Sequence, residues 1–376
     1  MQKFFSIIII SILIVGALGF VLKNRIGDIR PAILPPAERS TSSEPQKNVE
    51  IQQNFPIDIS NDPGVSIFAK DLGAPRDLEF SPGGTLLVSI PSQGKIVSLP
   101  DVKNIITGLS KPHGLAFFEG KLFVAEEQKV VRYSWDEENL EAIKEKELFK
   151  LPKGGNHVTR TIAFDKSGKM FVSIGSTCDV CFEKNPLNGA VIVSDSDGKN
   201  PKLYAKGLRN SVFITVNLST DELWGTEMGR DFLGDNLPPD EINIIREGGD
   251  YGWPTCFGNK VFDTKFDDQP QKERPCEATK APVYEIAAHS APLGLAFYEN
   301  HLYVAYHGSW NRSTPIGYKV VRFDVSENSI SNEQDFITGF LEGSKTIGRP
   351  VDIAFDKEGT MFLSDDKAGV VYKVEM

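Results

Sequence analysis

One pattern of apolar and polar positions returns six times along the chain: an apolar-x-apolar pair, a turn of three to five residues that usually holds Gly, then two or three strand formers. The copies are "LEFSPGGTLLVS" from Leu78, "LAFFEGKLFVAE" from Leu115, "IAFDKSGKMFVS" from Ile162, "ITVNLSTDELWGTE" from Ile214, "LAFYENHLYVAY" from Leu295 and "IAFDKEGTMFLS" from Ile353. Alternation at period two buries one face of a strand, and Gly, Asp or Asn in the turn accepts positive φ, so each copy predicts a β-hairpin. Between Phe80, Phe117, Phe164, Val216, Phe297 and Phe355 the intervals are 37, 47, 52, 81 and 58 residues. A four-stranded propeller blade takes about 40 to 50 residues, with any excess placed in loops, and the prediction is an all-β, six-bladed β-propeller. No long stretch carries the 3.6-residue period of a helical repeat. The final "GVVYKVEM" and the early "VSIFAKDL" at 65–72 are expected to pair and close the ring, which protects open sheet edges.

Before the first hairpin the pattern changes. "FFSIIIISILIVGALGFVL" has two serines as its only polar members and is long enough to span a bilayer, while "ALG" at 17–19 resembles a signal-peptidase site. We read 1–22 as a signal anchor or signal peptide, 23–60 as a disordered linker rich in Pro, Ser, Glu and Gln, and 61–376 as the propeller domain. The expected location is extracytoplasmic, membrane-anchored through the N-terminal helix or secreted after cleavage. Four cysteines fit an oxidising compartment as two disulfides with connectivity open. Zinc is the weaker reading, since the 256-to-276 spacing matches no zinc-ribbon pattern. A formal net charge of -10 without a basic, aromatic-interleaved run excludes the electrostatic footprint of a nucleic-acid binder.

Propellers bind ligands on loops that several blades supply at one end of the channel. Polar residues beside the repeated hairpins are therefore the candidates: His113 in "KPHGLAF", His157 in "GGNHVTRTIAF", Arg209 and Asn210 in "GLRNSVF", His307 and Arg312 in "HGSWNR", and Arg349 in "IGRPVDIAF". Three arginines near blade entrances of an acidic chain suit an anionic ligand with carboxylates. Histidine is the side chain best matched to proton abstraction near neutral pH. Asp231, Asp235, Asp240 and Glu241 make an oxygen-rich loop without Cys or His, which suits a hard cation such as Ca²⁺ as well as it suits plain solvent.

In these segments, taken in order with "NHVTRTIAFDKSGKMFVSIGSTCDVC", "TEMGRD…LPPDEINIIREGGDYGWP", "HSAPLGLAFY" and "GRPVDIAF…LSDD", the chain resembles the pyrroloquinoline-quinone (PQQ)-dependent sugar dehydrogenases, the glucose/sorbosone dehydrogenase family, and its sorbosone dehydrogenase-like branch. The resemblance covers about residues 65–376. It implies PQQ across the channel mouth with Ca²⁺, a small-molecule sugar substrate and a downstream electron acceptor. It further implies His157 as general base and Arg209 with Asn210 beside the quinone, Arg209 stabilising the developing oxyanion. Gly229 and Arg230 match positions whose carbonyls hold the cofactor's Ca²⁺, and Glu241 and Tyr251 a second, structural Ca²⁺ site. Arg312 and Arg349 correspond to cations around the quinone carboxylates. His113 lies near the place of a glutamine the soluble glucose enzymes use, and Asn156 stands where they carry an acid before the base, departures that bear on sugar specificity. The competing readings are a Ca²⁺-dependent sugar lactonase and a non-catalytic propeller that binds sugar or protein.

Overall fold

A computed structural model describes residues 58–59, 64–267 and 276–376. Every repeated motif forms the first two strands of a four-stranded antiparallel blade. Blade 1 runs Leu78–Phe80, Leu86–Ile90, Lys95–Leu99 and Lys103–Ile106; blade 2 runs Leu115–Phe118, Lys121–Glu126, Lys129–Asp136 and Glu141–Lys150. Blade 3 starts at Ile162–Phe164, blade 4 at Ile214–Asn217, blade 5 at Pro292–Tyr298 and blade 6 at Pro350–Phe355. The ring closes as the sequence predicts. Val65–Ala69 pairs antiparallel with Val370–Val374, Ile67 facing Tyr372, so both ends of the domain build blade 6.

Asp58–Ile59, placed in the disordered linker from composition, pair antiparallel with Thr338 and Ile337 on the outer strand of blade 5, whose open edge offers unpaired backbone groups. The apolar stretch at 4–22 and the rest of the linker lie outside the described residues.

The tight turns show why the motif repeats. In "FDKSGK" the Asp165 carboxylate accepts from the backbone N–H of Ser167 and Lys169, and in "FDKEGT" Asp356 accepts from Glu358 and Thr360. Gly168 and Gly359 then take φ of 83° and 88°, open to glycine without cost. Between neighbouring blades the apolar faces form packed clusters. Trp224, fully buried, joins Phe213 of blade 4 to Leu302, Val304 and Phe323 of blade 5. Both cysteine pairs are disulfides, Cys178–Cys181 and Cys256–Cys276, which removes the thiolates that zinc would need.

Candidate functional site

The loops that lead into the first strands, together with those between the second and third strands, gather at one end of the ring. "GGNHV" lies on the end of blade 3's second strand, with Asn156 N–H donating to Thr177 O and His157 N–H to Ser176 O. A side chain on Gly155 would sit 2.1 Å from Thr177 O, and one on Gly175 would sit 2.5 Å from the Cβ of His157. Both glycines are required for that close approach. Asn210 Oδ1 would lie 3.2 Å from that same added carbon on Gly175, so His157 and Asn210 both abut one glycine.

His157 has a defined tautomer. Ser176 Oγ donates its single hydrogen to Cys178 O at 2.6 Å, and Nδ1 of His157 lies 2.9 Å from the same oxygen. Oγ must therefore accept from Nδ1–H, which leaves Nε2 with its lone pair. Burial, and then the Arg209 and Arg160 guanidiniums, push the imidazole down to about 3. It is neutral throughout the physiological range, the form a base requires.

Arg209 is buried beside it and makes four hydrogen bonds. Nε donates to Asp179 O at 2.8 Å, Nη2 to Asp179 Oδ1 at 2.7 Å and to Asp231 Oδ2 at 3.4 Å, and Nη1 to Met228 O at 3.3 Å. Trp253 Nε1 also donates to Asp179 O. The "CDVC" loop thus reaches both predicted residues, through Cys178 O toward His157 and through Asp179 to Arg209. Beneath them Glu227 accepts from Asn210 N–H and Ser211 Oγ, and burial pushes it up to about 8.

The acidic loop does not converge on one point. Asp231 accepts from Asn311 and Arg209, Asp235 from Ser313 N–H, Asp240 from the N–H groups of Gly229 and Ala291, and Glu241 from Gly258 N–H and Asn243. A cavity of about 30 Å³ does lie among Glu227, Gly229, Arg230, Glu241, Tyr251 and Asp263. That is room for one water or one ion. Burial and Glu285 raise Glu241 to about 7, and Asn243 Oδ1 is buried with no hydrogen-bond partner. The carboxylates of Glu227, Glu241 and Asp263 are oxygen donors of the kind a hard cation takes, although Asn243 does not line the cavity and Asp263 already faces Arg230 Nη1 at 3.3 Å. The Tyr251 hydroxyl is spent on Ile244 O and Arg246 N–H, so only its backbone is free to serve.

Blades 5, 6 and 1 supply the opposite side. Arg349 donates to Gly308 O and to His307 Nδ1 and stacks on Tyr318 at 5.0 Å. His307 Nε2 donates to Asp366, whose other oxygen takes Arg76 at 2.6 Å. Burial drives Asp366 up, but His307 and Arg76 outweigh it and hold the carboxyl far below its ordinary range. Burial lowers His307 despite Asp366. Arg312 ties the acidic loop to blade 5 through Asp235 O and Ala288 O. His113 is buried, with Nδ1 3.3 Å from Thr161 Oγ1 and Nε2 without a partner; burial, then Arg76, keep it neutral. Four guanidiniums and three histidines, His113 with its Nε2 unpartnered, stand on the loops at this end of the ring and fit a planar ligand bearing several carboxylates.

Sequence reasoning named His157, Arg209, Asn210, Arg312 and Arg349, which the fold brings to this end of the ring, and did not name Ser176, Asp179, Glu227, Asp366 and Arg76, which hydrogen-bond to them or beside them. Arg76 had a readable signal, because "PRDLEF" enters blade 1 much as "GRPVDIAF" enters blade 6. Asp179 had none, since its partner is 30 residues away.

Residues 58–376 match the family model TrAA12-like. The chain is 32% identical over 349 residues to an uncharacterized protein of Borreliella burgdorferi, covering 85% of this chain and 90% of that one. It is 22% identical over 408 residues to a pyrroloquinoline quinone-dependent pyranose dehydrogenase of Coprinopsis cinerea, covering 86% of this chain but only 55% of that enzyme. Its fold matches the calcium structure of the Trichoderma reesei carbohydrate-active enzyme of family AA12 with a TM-score of 0.76 at 20% identity, over 86% of this chain and 98% of that one. The chain belongs to the TrAA12-like family, the PQQ-dependent sugar dehydrogenases.

Proposed function

We propose that the protein oxidises an aldose or related pyranose, sorbosone-like sugars included, at the anomeric carbon, with PQQ and Ca²⁺ as cofactors. The observation that carries this reading is His157, held neutral by burial and fixed by Ser176 with Nε2 free, next to Arg209 and Asn210. Arg209, Asn210, Arg349 and Arg312 would hold the quinone, His113 would line its pocket, and the carbonyls of Gly229 and Arg230 would face its Ca²⁺. Bound there, the quinone supplies the acceptor for the hydride that leaves the sugar. His157 Nε2 takes the proton of the anomeric hydroxyl, so the sugar loses one proton to the base and one hydride, which carries both electrons, and becomes the lactone. Arg209, already ordered by Asp179, places fixed positive charge where negative charge develops.

The cavity at Glu241 and Tyr251 would take a structural cation. Two disulfides and the apolar N-terminal stretch support an extracytoplasmic location, anchored or secreted, with electrons passed to a downstream acceptor. General-base catalysis is typically worth about 10²- to 10⁴-fold, so His157→Ala, reconstituted with PQQ and Ca²⁺, should lose dye-linked aldose oxidation by that order while still binding the quinone. Unchanged turnover in that variant, or hydrolysis of sugar lactones by quinone-free protein, would overturn the assignment.

A further inference from the structure

Two aromatic side chains stand exposed beside the site. Phe232 and Trp310 are 45% and 39% exposed, their rings 6.4 Å apart and nearly perpendicular. Each follows or precedes a residue of a fixed pair: Asn311 donates to Asp231 at 2.8 Å, and the other oxygen of Asp231 faces Arg209. Trp310 itself sits between Ser309 and Asn311, both buried, and Arg349 holds the carbonyl of Ser309. Phe232 has a φ of 67°, a left-handed conformation that is an outlier for a bulky residue and is retained where surroundings impose it. The ring is only half covered in return, with Trp310 as its aromatic neighbour.

We infer that Phe232 and Trp310 form a saccharide-stacking subsite next to the reaction site, which binds a second sugar ring and makes a reducing-end oligosaccharide the preferred substrate. The inference rests on the sugar-oxidising reading above. The size of the patch favours a sugar. Of the about 150–250 Å² that an aromatic side chain can bury, Phe232 and Trp310 each leave a little under half exposed, together about enough for one pyranose face, whereas a specific protein interface takes about 800 Å² from each partner. Asp235 and Asn236, on the same loop as Phe232 and tied to Arg312 and Ser313, add the hydrogen-bonding groups that sugar hydroxyls need.

The test compares D-glucose with cellotetraose, maltotetraose and chitotetraose in wild type, Trp310→Ala and Phe232→Gly, the glycine suiting the left-handed backbone. At least one tetrasaccharide should exceed glucose in kcat/KM by about tenfold or more through KM, and both variants should abolish that margin while glucose turnover stays within about twofold. Equal ratios in wild type and variants, with sugars still oxidised, would overturn the subsite and leave the dehydrogenase reading intact. Tryptophan emission, titrated with the same sugars, gives a readout independent of turnover. A response in wild type that Trp310→Ala removes, without oxidation of any sugar, would keep the subsite and sink the dehydrogenase reading. Variants that lose reduction of cytochrome c but keep the wild-type sugar profile with a dye would assign the patch to a protein partner and overturn the inference.

Discussion

At the scale of single residues, the decisive feature is the serine behind the base. Ser176 fixes the His157 tautomer only because its own hydrogen is committed to Cys178 O. Ser176→Ala leaves Nδ1–H without that acceptor, and a net hydrogen bond of about 1 kcal/mol or slightly more makes a loss of roughly tenfold in kcat the expected outcome. Ser176→Thr, which keeps the hydroxyl, should restore most of it, and kcat for the three proteins checks the claim; equal values would contradict it. His157 was legible as a candidate because histidine is rare here and this one lies before a repeated strand. Ser176 and Asp179 were not, because a serine or aspartate in a loop takes its meaning from what the fold brings opposite.

At the scale of elements, the two disulfide loops divide their labour. Cys178–Cys181 closes a very short loop that carries both Asp179 and Cys178 O toward the site, whereas Cys256–Cys276 closes a loop with a separation of 20 residues in the blade 4 insertion. Loop-closure entropy assigns about 2 kcal/mol to the first and about 3 kcal/mol to the second. Replacing Cys178 and Cys181 by Ser should therefore cost more turnover than stability, and replacing Cys256 and Cys276 the reverse, as Tm and kcat measured on both variants will show. The hairpins could be read directly from alternation and turn residues. The interval of 81 residues could be read only as an excess, since the short strands Cys256–Phe257 and Val261–Phe262 carry no periodicity long enough to see.

At the scale of the whole molecule, the six first strands surround a channel whose far end opens into a cavity of about 580 Å³. Asp77, Glu79 and Asp352 line it, accepting from the backbone N–H groups of Leu115, Phe117 and Leu78 on neighbouring blades. Burial raises all three, and Glu79 to about 8. A carboxyl raised in the fold binds its proton more tightly than in the unfolded chain. Its contribution is therefore present below about pH 4 and is lost as pH rises through the folded value. Glu79→Gln, which keeps an acceptor for Phe117, should raise Tm at about pH 9 and leave it unchanged at about pH 4, measured by thermal unfolding. Ring closure and blade number were legible in the sequence because repetition itself encodes them. The carboxylates between blades were not, since "DLEF" reads as an ordinary amphipathic strand until its neighbour is in place.

The central claim, that His157 is the base of a sugar-oxidising site, is tested most directly by single turnover. Wild type and His157→Ala, each loaded with PQQ and Ca²⁺, are mixed anaerobically with excess aldose, and bleaching of the oxidised quinone absorbance is followed in time. The account predicts rapid bleaching in wild type and a rate slower by about 10²-fold or more in the variant, with the quinone still bound. Equal rates in the two proteins would contradict it.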